Sequence, residues 1–243
     1  MSSSPPILIT MGDAAGIGPE IIAKAFVKSP ADLQGCVVFG DVQTLRRAAQ
    51  LVGGGAGAPG FAVARLADVA DWPAVPPRCI PFVQSCSLNS PPPYGQISAS
   101  AGQAAADCIV AAARAVLAGN AAAMVTAPIH KEALAAAGGA TAGFPGHTEM
   151  LQAEAAAFLG KPVDQVPVRM MLANEELRTV LVSIHMSLRH AIDAVTFDNV
   201  LQTLRITHAA LSRSLGRAPR IGVAGLNPHA GEGGLFGREE QDI

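Results

Sequence analysis

An α/β fold on a mainly parallel sheet is predicted by two observations. Short apolar runs alternate with longer helix-patterned segments along the whole chain. The turns that follow those runs are rich in Gly, Pro and His rather than in hairpin dipeptides. One pair of runs breaks the rule and predicts a local antiparallel hairpin.

Taken in order, PILIT (6–10) reads as a strand, and PEIIAKAFVKS (19–29) as a helix with Pro at its first position. CVVFG (36–40) is a second strand. DVQTLRRAAQLV (41–52) is a helix in which Asp41 is the N-cap. GGGAGAPG (53–60) reads as a plain loop, because no strand precedes it and no Lys-Ser/Thr follows. FAVARL is a weak strand, and residues 71–95, rich in Pro and Ser, read as an irregular connection. A long helix over 100–119 leads to the strand AAAMVTAP (121–128). TEMLQAEAAAFLG (148–160) is helical and stops at Gly160. VRMMLA and LRTVLVSIH (177–185) are adjacent strands joined by a hairpin-sized NEE. FDNVLQTLRITHAALSRSL (197–215) is a helix and RIGVAGL (220–226) a buried strand.

Composition narrows the function classes. A net charge of −2 with no Lys/Arg run argues against nucleic acid or an anionic membrane as main partner. No apolar run is long enough to span a bilayer, and the N-terminus has no signal-peptide pattern, so a cytoplasmic protein is expected. The four cysteines show no CxxC or zinc-finger spacing, which predicts free thiols rather than a disulfide framework.

In α/β sheets ligands bind beyond the carboxyl ends of strands. Four such ends carry candidate chemistry: MGDAAGIGPE (11–20), TAPIHK (126–131), His185, and NPHAGEGG (227–234). GFPGHTE (143–149) adds a fifth loop that opens a helix. Gly12, Gly16 and Gly18 permit close backbone approach to a ligand, although the spacing is not the dinucleotide-binding fingerprint and a tight turn explains it equally. His130 and Lys131 are placed to meet a substrate anion. His147, Thr148 and free helix N–H groups are placed to converge on a ligand. His208 lies inside an amphipathic helix and reads as structural, and His190 as a surface or capping residue. His185 and His229 each end an apolar strand, and neutral imidazole is a common metal ligand. Two histidines alone are fewer than a catalytic metal needs. No G-x-S-x-G, Walker A or H-E-x-x-H is present.

Five segments in order, ITMGDAAGIGPEI, TAPIHKEAL, GHTE, SIHMSLR and GLNPHAGEGGLFGREE, resemble the motifs of the 4-hydroxythreonine-4-phosphate dehydrogenase family. The resemblance runs from about Ile7 to the last residue. It implies a fold similar to isocitrate and isopropylmalate dehydrogenases, with two α/β/α domains around a cleft, divided here as 1–128 and 129–243, in a homodimer. It further implies NAD- (or NADP-) dependent, divalent-metal-dependent (Zn, Mg or Co) oxidation of 4-phosphooxy-L-threonine. Decarboxylation to 3-amino-2-oxopropyl phosphate follows, in pyridoxal 5'-phosphate biosynthesis. By motif, Gly12 and Asp13 fall near the cofactor, His147 and Thr148 at the substrate, and His185 and His229 at the metal. Lys131 is the candidate general base, a phosphate contact or structural role being the other reading.

The chain departs from the family in having no Tyr-His-Asp-Gln-Gly segment, which carries the third metal histidine, and REEQDI reads as the start of a helix that should continue. The resemblance therefore leaves two alternatives open. One is a related dehydrogenase acting on another four-carbon acid phosphate or an aromatic cis-dihydrodiol acid. The other is an inactive truncated scaffold.

Overall fold

The computed structural model describes residues 4–53, 61–139 and 141–243. All of the expected loop 53–60 except Gly53 lies outside them. The chain divides into two compact units, Met1–Val166 and Pro167–Ile243. The first runs past the expected division at 128/129.

The first unit starts with β1 (Ile7–Thr10), α1 (Gly18–Lys28), β2 (Cys36–Gly40), α2 (Val42–Val52) and β3 (Ala62–Leu66). It continues with β4 (Cys79–Gln84), α3 (Ala99–Leu117), β5 (Ala123–Thr126), α4 (Lys131–Ala136) and α5 (His147–Leu159). Five parallel strands stand in the order β3-β4-β2-β1-β5. The period of two is visible in the core. Ile9, Val38, Ile80 and Phe82 face α1 and α2 through Ile22, Phe26 and Leu45. Leu8, Val37 and Phe39 face α3 through Ala112 and Val116.

The caps follow the sequence. Asp41 accepts from the Thr44 backbone N–H at 2.9 Å and from the Thr44 hydroxyl at 2.9 Å. Gly160 takes φ 62°, the left-handed stop expected for α5. β4 corrects the expected irregular stretch: it is a buried interior strand with Ile80 and Phe82 fully buried. Pro81 disguises it. The β2–β4 ladder begins only at Phe82, so the missing Pro81 N–H lies outside it on that side.

α4 and α5 pack on α3, joined by the apolar cluster of Ile109, Leu134 and Met150. An Arg114–Glu154 ion pair at 2.7 Å links α3 to α5. Gly102 of α3 lets α4 approach: a Cβ there would collide with the Ala133 carbonyl.

The second unit holds the antiparallel hairpin β6 (Met171–Ala173) and β7 (Arg178–Val180). It also holds α6 (Leu188–Asp193), α7 (Phe197–Leu215) and α8 (Glu239–Asp242). β7 is shorter than the expected strand 177–185. α7 starts and ends as expected, capped by Thr196, whose hydroxyl accepts from the Asn199 N–H at 3.3 Å. The expected buried strand 220–226 is neither a strand nor buried: Val223 is 66% exposed. Its composition suits a strand, but among the described residues no backbone ladder pairs with it.

Candidate active site

The sheet order sets the place. From β1 the chain moves one way to β2, and β5 returns on the other side of β1. The β1/β5 gap is thus a topological switch point, where open α/β sheets leave a crevice at their carboxyl edge.

Two loops meet there. The Asp13 N–H donates to the Pro128 carbonyl at 2.9 Å, and the Ala127 N–H to the Thr10 carbonyl at 3.2 Å. Gly12 has φ 72°, and a Cβ on it would strike the Pro128 carbonyl. Glycine is therefore a structural requirement at this seam, whatever ligand lies beyond it. The Asp13 carboxylate accepts from the Ala15 N–H at 2.9 Å, rounding the loop toward α1.

Arg47 of α2 holds the same loop from behind. Its guanidinium donates to the Ala14 carbonyl at 3.1 Å and the Pro92 carbonyl at 2.6 Å, and lies 4.0 Å over the Tyr94 ring. The Gly95 N–H donates to the Ala15 carbonyl at 2.8 Å. Sequence reasoning missed Arg47. The signal was its place beside the buried stripe of Thr44, Leu45, Ala48 and Ala49.

His147 is the first residue of α5 and is half-buried. Burial pushes its imidazole below the ordinary histidine range, against an opposing contact with the Ala127 backbone. That contact sets His147 beside the loop that meets Asp13. Among the described residues its Nε2 is buried without a hydrogen-bond partner, as is Thr10 Oγ1 at the end of β1. Such orphans in a native fold call for an explanation, and a ligand is one. Thr148 is half-buried next to it. The N-cap Gly146 supplies no side-chain cap, so the first N–H groups of α5 are not capped by that residue.

His130 and Lys131 part company. His130 Nδ1 accepts from the Ala133 N–H at 3.4 Å and so caps α4. Lys131 opens α4, is exposed, and makes no ion pair among the described residues.

In the second unit His185 (φ 54°) and His229 (φ 51°) each sit exposed on a left-handed turn. His229 begins six consecutive positive-φ residues, ending at Gly234. Three of the six are not glycine, and each costs about 1–2 kcal/mol in that region. Bonds from the Asn227 N–H to Glu240 at 2.6 Å and from the Asn227 amide to Glu239 at 2.6 Å brace the turn. The Asn227 N–H, together with the Asn227 amide at 3.1 Å from the second Glu240 oxygen, draws the Glu240 carboxyl below its usual range. Stored strain of this kind is characteristic of functional turns. Among the described residues no group of three or more His, Cys, Asp or Glu gathers to hold a metal. A cavity of about 580 Å³ between α7 and residues 219–224 is lined by neither histidine. His190 and His208 are both exposed.

The family model for the pyridoxal phosphate biosynthetic protein PdxA matches residues 32–243. The chain belongs to the PdxA family. It is 45% identical over 236 residues to a 4-hydroxythreonine-4-phosphate dehydrogenase from Beijerinckia indica subsp. indica. That match covers 97% of this chain and 64% of the relative, so the chain spans just under two thirds of that relative's length. Among solved structures it resembles the 4-hydroxythreonine-4-phosphate dehydrogenase from Klebsiella pneumoniae with a TM-score of 0.83 and 37% identity, covering 100% of this chain and 69% of that one. A terephthalate 1,2-cis-dihydrodiol dehydrogenase from Burkholderia xenovorans LB400 is more distant. Its TM-score is 0.59 and its identity 29%, over 99% of this chain and 68% of that one. The α/β fold with a parallel sheet expected from the sequence is that of these PdxA relatives, the isocitrate/isopropylmalate dehydrogenase-like class. Among the described residues no helix is long and apolar enough to cross a membrane.

Proposed function

We propose that this PdxA-family chain serves the NAD-dependent, divalent-metal-dependent oxidation of 4-phosphooxy-L-threonine (4-hydroxy-L-threonine 4-phosphate). Decarboxylation then gives 3-amino-2-oxopropyl phosphate, in pyridoxal 5'-phosphate biosynthesis. The setting is a cytoplasmic homodimer, with NADP as the other possible hydride acceptor. The observation that carries the reading is the convergence of Gly12, Asp13, Pro128 and His147, whose Nε2 has no partner among the described residues, at one carboxyl edge of the sheet. The family's relatives named as dehydrogenases support it.

A nicotinamide cofactor held against the Gly12–Asp13 loop supplies the acceptor for the hydride of a secondary alcohol. A neutral His147 imidazole offers one hydrogen bond at Nε2 to the substrate, and the Thr148 hydroxyl a second. Together they fix which C–H faces the cofactor. The uncapped start of α5 favours a phosphate or carboxylate oxygen. Lys131, an exposed cation at the start of α4, is the candidate base or phosphate contact. His185 and His229 fit as two imidazole donors to zinc, magnesium or cobalt, which would lower the hydroxyl pKa and polarise the new carbonyl. The described residues do not complete the roughly three protein ligands such a site needs, so no step is derived through it.

The weaker likeness to the cis-dihydrodiol dehydrogenase makes an aromatic cis-dihydrodiol acid the second substrate reading. Incubation of the purified chain with NAD, divalent metal and each substrate, with NADH absorbance as readout, decides between them. NADH is expected with 4-phosphooxy-L-threonine and little with the diol acid. The reverse preference would favour the diol reading, and no NADH with either would mark the chain as an inactive scaffold.

A further inference from the structure

Beneath the Gly12 loop lies a pair of thiols that the proposed reaction does not use. Cys86, just past β4, and Cys108, on α3, place their sulfurs 3.4 Å apart. Both are buried, at 7% and 0% exposure. The Ser85 hydroxyl donates to the Cys108 sulfur at 3.4 Å. All four cysteines are free, and the other two, Cys36 and Cys79, sit on β2 and β4.

We infer that Cys86 and Cys108 form a redox modification site, closing to an intrachain disulfide when a hydroperoxide reaches them. Three observations carry this. The sulfurs need to approach by only about 1.4 Å to reach bonding distance. Cys86 lies in the non-helical connection after β4 and faces Cys108 of α3, so the two thiols come from different elements and need only their side chains to turn. A cavity of about 440 Å³ is lined by Ser85, Gln103, Asp107 and Thr141, and Ser85 is the residue whose hydroxyl touches Cys108. The hydrogen bond shared between the two sulfurs and the one from Ser85 hold the Cys108 thiol below its ordinary range despite burial, and Cys86 is raised in turn.

The Cys108 thiolate attacks one oxygen of the peroxide. The O–O bond breaks, hydroxide leaves and takes up a proton as water, and Cys108 becomes a sulfenic acid. The Cys86 sulfur then attacks the Cys108 sulfur, the S–O bond breaks, and a second water leaves with the Cys86 proton. Two thiols lose two electrons in all, and one peroxide becomes two waters. Met11 and Ala14 of the β1 loop share the buried cluster of the two cysteines, so the bond would tie the β4 exit to α3 directly under that loop. This inference does not depend on the proposed reaction.

The test treats the native protein with hydrogen peroxide, alkylates the remaining thiols in denaturant and maps the peptides. The alkylated thiols are expected to fall from four to two, with residues 86 and 108 in one linked peptide. Dithiothreitol should restore all four. C79S should keep the linked peptide, because it removes only a half-exposed competitor. C86S and C108S should lose it. Four alkylated thiols after peroxide, or oxidation confined to Cys36 or Cys79, would overturn the inference. The wild-type map decides the matter even if a serine variant folds poorly.

Discussion

Replacing Gly102 by valine is expected to lower the thermal midpoint of the first unit by about 10 °C, corresponding to about 4 kcal/mol. The intrinsic helix preference of the new residue opposes this, since glycine is the poorer helix former by up to about 1 kcal/mol. Packing decides the sign. The added Cβ would meet the backbone of Ala133 and Leu134, which cannot give way as a flexible side chain would. α4 must move off α3, exposing Leu134, now 1% exposed, whose burial stabilises by about 1.5–3 kcal/mol. Over-packing adds about 1–3 kcal/mol. Circular dichroism melts of wild type and variant measure the difference. An unchanged midpoint would mean that α4 does not sit against α3 as described.

The second large effect falls at the seam itself. Gly12→Ala puts a side chain at φ 72°, costing about 1–2 kcal/mol, and drives it into the Pro128 carbonyl. With over-packing the loss is about 3 kcal/mol. Gly16→Ala is the control. The nearest atoms its Cβ would meet belong to the Asp13 side chain, from 3.2 Å, and its φ is not positive. A change below about 1 kcal/mol is expected there. Urea unfolding of both variants separates the two cases, and equal losses would contradict the seam.

Much of this was legible in the chain, and the exceptions share a cause. Local signals report local structure. Asp41, Thr196 and Gly160 mark helix ends because a cap or a left-handed stop is written in one residue type. β4 was hidden because Pro81 and its Pro- and Ser-rich neighbourhood look like loop, and only the offset of the β2 ladder shows why Pro is tolerated. Residues 220–226 erred the other way. An apolar run is a strand only when a partner takes up its backbone bonds, and partnership is not written in the run.

Site residues divide similarly. Gly12, Asp13 and His147 are brought to one sheet edge, although nothing in their spacing fixes that. His130 had looked chemical and is a cap. Arg47 drew no notice in the sequence and anchors the loop. The Cys86–Cys108 approach is a tertiary fact with no signature in sequence spacing.

The central claim is that ligand meets His147 at the β1/β5 edge. Proton NMR of the six histidine rings, with His147 assigned through H147N, tests it most directly. The His147 resonance is expected to titrate below the ordinary value of about 6.5 and to shift on addition of NAD and 4-phosphooxy-L-threonine. An ordinary titration, with no shift while other histidines respond, would contradict the account.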